Sequence, residues 1–185
     1  MANCNLRTFD PSIDPSYKKT TADRLIGLRS KFFHSEFEFS GRYCGVSVSA
    51  TMADSCRCVR FKKIDYEKHP TRWRKQTVPL SHEQEAEVFG AASKMAGVSR
   101  LDAMRFTKTA SAGDILFDKT ALRYDLPGVA LSFVLPKWRI WRPHEKWVWC
   151  SEFCCLLIQV AFPAFDGRAD ENTPEDLYLK WAGGQ

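Results

Sequence analysis

Long apolar runs are scarce in this chain. Two of the longest stretches free of Asp, Glu, Lys and Arg are 126–136 and 153–165. Both fall short of the roughly 20 residues a spanning helix needs, and both contain proline. There is no internal repeat and no low-complexity tract. With 44% hydrophobic, 13% aromatic and 26% charged residues, a wholly disordered chain, a collagen-like repeat and a coiled-coil rod are excluded. The opening Met-Ala-Asn-Cys-Asn-Leu-Arg lacks both the basic-then-apolar layout of a secretory leader and the glycine that myristoylation requires. The expected location is therefore the cytoplasm. A second cysteine pair at zinc-finger spacing is also missing. Cys56 and Cys58 form a lone C-x-C that Cys44 and His69 would have to complete, so no metal is expected. Seven cysteines, an odd number, read as reduced thiols.

What is present fits one domain of 185 residues. Residues 1–20 are polar, with turn signals at Asp10-Pro11 and Asp14-Pro15, so residues 1–23 are expected to be a flexible arm and 24–185 a single domain. Phe33–Phe39 alternates as a strand, with Phe33, Ser35, Phe37 and Phe39 on one face and His34, Glu36 and Glu38 on the other. Val46–Ala50 and Arg57–Ile64 follow as further strands. Val78-Pro79-Leu80 leads into a helix capped by Ser81 and ending near Gly97, with Glu83, Glu85 and Glu87 early, where the helix dipole favours them. Val98–Thr120 is mixed and receives no assignment. Ser151–Val160 reads as a buried helix, and Thr173-Pro174-Glu175-Asp176 as a helix start. Strands first and helices after is an α+β pattern.

The net charge of +5 is uneven. Between Arg57 and Lys75 eight basic residues stand against Asp65 and Glu67, while residues 166–176 are acidic. The basic strip suits a solvated sheet face and loop. Nucleic acid is not an expected partner, because that strip is the one feature favouring it.

Two features carry chemistry. His34 and Glu36 lie two apart on one strand face, with Cβ atoms about 7 Å apart, so direct contact requires the side chains to lean together. Cys150 opens a helix directly after Trp147-Val148-Trp149, where the dipole and free N–H groups lower a thiol pKa and stabilise an oxyanion. A strand histidine and a helix-start cysteine are the parts of a nucleophilic site. The same residues also suit a small buried hydrophobe and a satisfied polar residue. Cys154 and Cys155 read as core. Glu152, about 200° round the helix from Cys150, reads as helix-start electrostatics or a packing salt bridge. Trp138, Trp141, Trp147 and Trp149 would wall a cleft or form core and rim, and His144 lies in a nearby Pro143 loop.

Several pieces in order resemble the circularly permuted papain-like hydrolases of the NlpC/P60 superfamily, of the phage-encoded type. They are Arg24-Leu25-Ile26, His34-Ser35-Glu36-Phe37-Glu38-Phe39, Ser47-Val48-Ser49-Ala50, Val59-Arg60-Phe61-Lys62-Lys63-Ile64-Asp65, Tyr124-Asp125-Leu126-Pro127-Gly128, Trp149-Cys150-Ser151-Glu152 and Thr173-Pro174-Glu175-Asp176-Leu177. The resemblance implies an antiparallel sheet packed against a nucleophile-bearing helix, with histidine before cysteine as permutation requires. It makes Cys150 the nucleophile and His34 the general base. Glu36 becomes the orienting residue, with Ser47 or Ser49 as alternatives, and the Cys150 N–H one oxyanion donor. It implies a cysteine peptidase, amidase or related acyl hydrolase that needs no cofactor. Its expected partner is a peptide, amide or thioester substrate, including a host protein, in the host cell cytoplasm. The alternative is an inactive fold serving as a viral binding or decoy protein for a host partner. Where the family often has glycine before its Val-Arg strand, this chain has Cys56-Arg57-Cys58.

Overall fold

The computed structural model describes residues 2–13, 30–52, 56–68, 70–125, 147–165 and 173–183, with positions 18, 24 and 26 besides. The chain is α+β. Its strands are β1 (Ala2–Phe9), β2 (His34–Phe39), β3 (Val46–Thr51), β4 (Cys58–Lys62), β5 (Trp73–Leu80), β6 (Ile115–Leu116), β7 (Arg123–Tyr124) and β8 (Trp147–Val148). They form one sheet in the order β5-β1-β2-β3-β4-β7-β8, with β6 also on β4. Every described pairing is antiparallel except β7 with β8. The described helices are α1 (His82–Met95), α2 (Arg100–Thr109), α3 (Cys150–Ala161) and α4 (Pro174–Gly183). None is long and apolar enough to cross a membrane.

The core lies on one face of the sheet. Cys4, Leu6, Phe37, Phe39, Val46, Val48, Val59, Phe61, Val78 and Leu80 alternate onto it. They meet Val88 and Phe89 of α1, Phe153, Leu157 and Ile158 of α3, and Leu177 and Trp181 of α4. Period-2 alternation sends the intervening residues to the opposite face. That face is covered as well: all six residues of β3 are buried, Ser47 and Ser49 included.

The N-terminal arm expectation is overturned for Ala2–Phe9. This segment is an interior strand next to the edge strand β5, paired to β2 over Cys4–Phe9 and to β5 over Ala2–Phe9. Its polar look comes from Asn3, Asn5 and Arg7, which face away from the core, while Cys4 and Leu6 are fully buried in it. The Asp10-Pro11 signal marks where the strand ends. Asp14-Pro15 lies outside the described residues. Val78-Pro79-Leu80 is likewise strand, the end of β5. Proline is tolerated there because β5 lies at the edge of the sheet, so a missing N–H need not break a ladder. The 98–120 stretch contains α2, capped by Ser99, whose Oγ accepts from the Asp102 N–H at 3.1 Å.

Local chemistry sets the helix ends. Ser81 Oγ accepts from the Gln84 N–H at 3.1 Å, and Gln84 Oε1 accepts from the Ser81 N–H at 2.9 Å, a reciprocal capping box. α1 stops at Gly97, whose φ of 69° is left-handed. The N–H of Gly97 reaches Lys94 O and that of Val98 reaches Ser93 O, both at 3.1 Å, the pairing of a Schellman stop. Buried Glu85 accepts from the N–H groups of Gly41 and Arg42 at 3.1 and 3.0 Å, pinning the β2–β3 turn to α1. A Cβ at Gly41 would lie 2.6 Å from Glu85 Oε1, so only glycine allows that approach.

Candidate active site

The antiparallel register sets Arg7 opposite Glu36 and Ser49 opposite Arg60. Continuing the Phe37–Val48 pairing by one residue brings Glu36 opposite Ser49. Arg7, Glu36, Ser49 and Arg60 thus form one row across β1, β2, β3 and β4 on the face away from the core. Strand spacing of about 4.8 Å makes such rows the natural unit of cross-sheet contact. The next row holds Trp73, Phe9 and His34, from β5, β1 and β2. Phe9 and Trp73 have ring centroids 5.4 Å apart, and Trp73 stands edge-on to His34 at 6.3 Å.

His34 and Glu36 do lean together: Nε2 of His34 lies 3.2 Å from Glu36 Oε1. Ser49 Oγ is also 3.2 Å from that nitrogen. Arg60, 2% exposed, donates from Nη1 to Ser49 Oγ at 3.1 Å and from Nη2 to Glu36 Oε1 at 3.2 Å. The Tyr66 hydroxyl donates to Glu36 Oε2 at 2.8 Å and makes a short contact with Ser47 Oγ. Arg7 stacks over the Tyr66 ring with its guanidinium carbon 4.3 Å from the centroid. The Glu36 carboxylate therefore has donors at both oxygens, which makes its burial tolerable. Burial alone would raise its pKa, but the Arg60 charge and the bonds from His34 and Tyr66 outweigh that and hold it down to about 2.

Cys150 stands at the first position of α3 and hydrogen-bonds to His34. With Nε2 turned to Glu36 and Ser49, Nδ1 is the ring nitrogen left for the sulfur. The backbone N–H groups of Ser35 and Ser151 also point at this sulfur. Burial opposes a thiolate, yet the His34 charge and these three bonds lower the Cys150 pKa below the ordinary thiol value. Burial likewise opposes a charged His34, but the facing Cys150 sulfur and Glu36 overcome it and raise the ring to about 9. The arrangement favours a thiolate–imidazolium pair backed by a buried carboxylate.

The sequence-predicted residues separate clearly. Cys150, His34 and Glu36 are brought together, and Ser49 joins them. Ser47 reaches Tyr66 rather than His34. Cys154 and Cys155 are fully buried core; burial pushes the Cys154 thiol well above its ordinary range. Glu152 caps the helix, its Oε2 accepting from the Trp149 N–H at 3.2 Å. Trp147 and Trp149 are half-buried. Trp138, Trp141, His144 and His69 lie outside the described residues. Among those described, no three His, Cys, Asp or Glu side chains converge as metal ligands.

The basic strip is not one solvated face. Arg60 is buried in the site, and Arg74 reaches the buried Asp10 carboxylate at 3.3 Å. The roles of Arg60 and Tyr66, and the placement of Trp73 beside His34, are not apparent from motif spacing. For Arg60 a signal did exist: Val59 and Phe61 belong to the core, so the arginine between them must face the way Ser49 and Glu36 face. No family model, curated protein or solved structure matches this chain.

Proposed function

We propose that this protein is a cysteine hydrolase of the permuted papain-like type, acting on a peptide, amide or thioester through an acyl-enzyme. The observation that carries this reading is the hydrogen-bonded chain from Cys150 through His34 to Glu36. The resemblance of the His34, Val59-Arg60 and Cys150 segments to that family adds to it. The Cys150 thiolate attacks the carbonyl carbon, forming a C–S bond and a tetrahedral oxyanion. The Cys150 N–H, at a helix start where N–H groups have no intrahelical acceptor, is one donor to that oxyanion. Imidazolium His34 gives its proton to the departing group as the scissile bond breaks. Neutral His34 then takes a proton from water, which attacks the thioester and releases the Cys150 thiolate. Glu36 keeps the ring oriented and offsets its charge throughout. No step requires a metal or organic cofactor.

The test is the pH dependence of iodoacetamide labelling at Cys150, followed by peptide mass spectrometry in wild type and His34→Ala. An isolated thiol titrates near ~8.5. The wild-type profile should lie below that, and His34→Ala should return it there. A Cys150 that labels no faster than exposed Cys44, with no effect of His34, would overturn the hydrolase reading in favour of a binding or decoy protein.

A further inference from the structure

Outside this site, Cys56 and Cys58 flank Arg57, the one described non-glycine residue with positive φ, at 49°. For an L-residue the open region at that φ is left-handed helical. Because peptide planes are rigid, the distance from Cα56 to Cα58 depends on the Arg57 dihedrals and bond angle. In an extended strand two rises would set it at about 6.6 Å. Helical dihedrals of either hand give about 5.4 Å, from the chord and rise over two residues. That is close to the commonest Cα separation of disulfides, about 5.5–6 Å. The side chains follow the backbone. The Cys56 thiol points back at the Cys58 carbonyl, 3.9 Å away, and the two thiols hydrogen-bond each other. Cys56 is partly exposed, whereas Cys58 is buried where β4 begins, opposite Thr51 and Arg123.

A non-glycine residue held left-handed is conformationally costly, and here it closes the gap between two thiols. We propose that Cys56 and Cys58 form a two-electron dithiol–disulfide couple that exchanges with low-molecular-weight disulfides of the glutathione class. The accessible Cys56 thiolate attacks one sulfur of oxidised glutathione, forming a mixed disulfide and releasing one glutathione thiolate. Cys58 then loses its proton to solvent and displaces the second glutathione, closing the Cys56–Cys58 bond. Two protein thiols are oxidised and one glutathione disulfide is reduced to two thiols. In the dithiol, burial and the neighbouring Cys56 push the Cys58 thiol up, so the accessible Cys56 is the thiol that attacks first. The couple does not involve Cys150 and stands independently of the hydrolase reading.

Endoproteinase Asp-N supplies the assay, because it cuts before Asp54 and Asp65 and leaves both cysteines in one peptide in wild type and in variants at position 57 alike. The full-length protein is incubated with oxidised glutathione, quenched with N-ethylmaleimide and digested without reductant. The expected product is the 54–64 peptide with neither cysteine alkylated and no glutathione attached, which takes up two alkyl groups only after reduction. Arg57→Gly, which adopts the left-handed turn freely, should link at least as fast as wild type. Arg57→Val, β-branched and averse to positive φ, should link about tenfold more slowly. Glutathione retained on Cys56 with Cys58 still alkylated, linkage of either residue to another cysteine, or an unchanged rate in Arg57→Val would overturn the proposal.

Discussion

Arg60 Nη2 and His34 Nε2 lie at the same carboxylate oxygen, Glu36 Oε1, each 3.2 Å away. One buried anion thus holds a permanent cation on one side and a titrating ring on the other. The carboxylate cannot rotate away from the histidine without also leaving Arg60 and Tyr66, so ring orientation is fixed from three elements.

Glu36→Gln should be severe in both stability and chemistry. It leaves Arg60 buried without a counter-charge, a defect that costs about 3–5 kcal/mol, and removes the anion that supports a protonated His34. Urea denaturation should show the loss. In any fraction that remains folded, the Cys150 labelling profile should move to higher pH.

Acid stability should carry the signature of the same carboxylate. Its pKa falls from an ordinary 4.5 to about 2 on folding, so its stabilisation is fully present above about pH 4.5 and disappears as pH falls through 2. The size is on the order of 3 kcal/mol, from 1.36 kcal/mol per pKa unit. Denaturation midpoints at pH 5.5, 4, 3 and 2 should decline more steeply in wild type than in Glu36→Gln, since the other carboxylates are common to both.

Removing a bond at the edge of the network should be mild for folding. Tyr66→Phe deletes the hydroxyl that donates to Glu36 Oε2 at 2.8 Å and leaves His34, Arg60 and Ser49 at Oε1, at 3.2, 3.2 and 3.4 Å. A cost of about 1–2 kcal/mol is expected, measured by urea denaturation, with a smaller displacement of the Cys150 labelling profile than Glu36→Gln produces.

The N-terminal strand should be indispensable. Leu6→Ala opens a cavity in the main core and should cost about 2–5 kcal/mol. Deleting residues 1–9 removes the strand between β2 and β5, so the truncated chain should lose cooperative unfolding by circular dichroism. A truncated protein with wild-type unfolding would contradict the interior position of β1, paired on both sides.

Much of the helical architecture was legible in the chain because caps act locally. Ser81 with the early Glu83 and Glu85, Gly97, and Thr173 with Pro174 and Asp176 mark helix ends within a few residues of themselves. The alternation of Phe33–Phe39 likewise revealed which face carries His34 and Glu36, since period 2 is a property of any strand. β1 was hidden because asparagine and arginine on its outward face mask the inward Cys4 and Leu6. β5 was hidden by a proline that only an edge position makes acceptable.

The sequence by itself therefore determined the α+β class, the shared face of His34 and Glu36, and the place of Cys150 at a helix start. Those follow from backbone periodicity and from the unpaired N–H groups of a helix terminus, which need no distant partner. Tertiary structure decided which side chains meet the His34 ring, Glu36 and Ser49 but not Ser47, and what compensates the buried carboxylate. Glu36, Ser49 and Arg60 share a row only once three strands pair in one register, and Tyr66 reaches that row only by the turn that folds over it. It also decided the charge state of the pair. Burial, Arg60 and the contact between His34 and Cys150 act through space, over distances of a few ångströms that no spacing along the chain encodes.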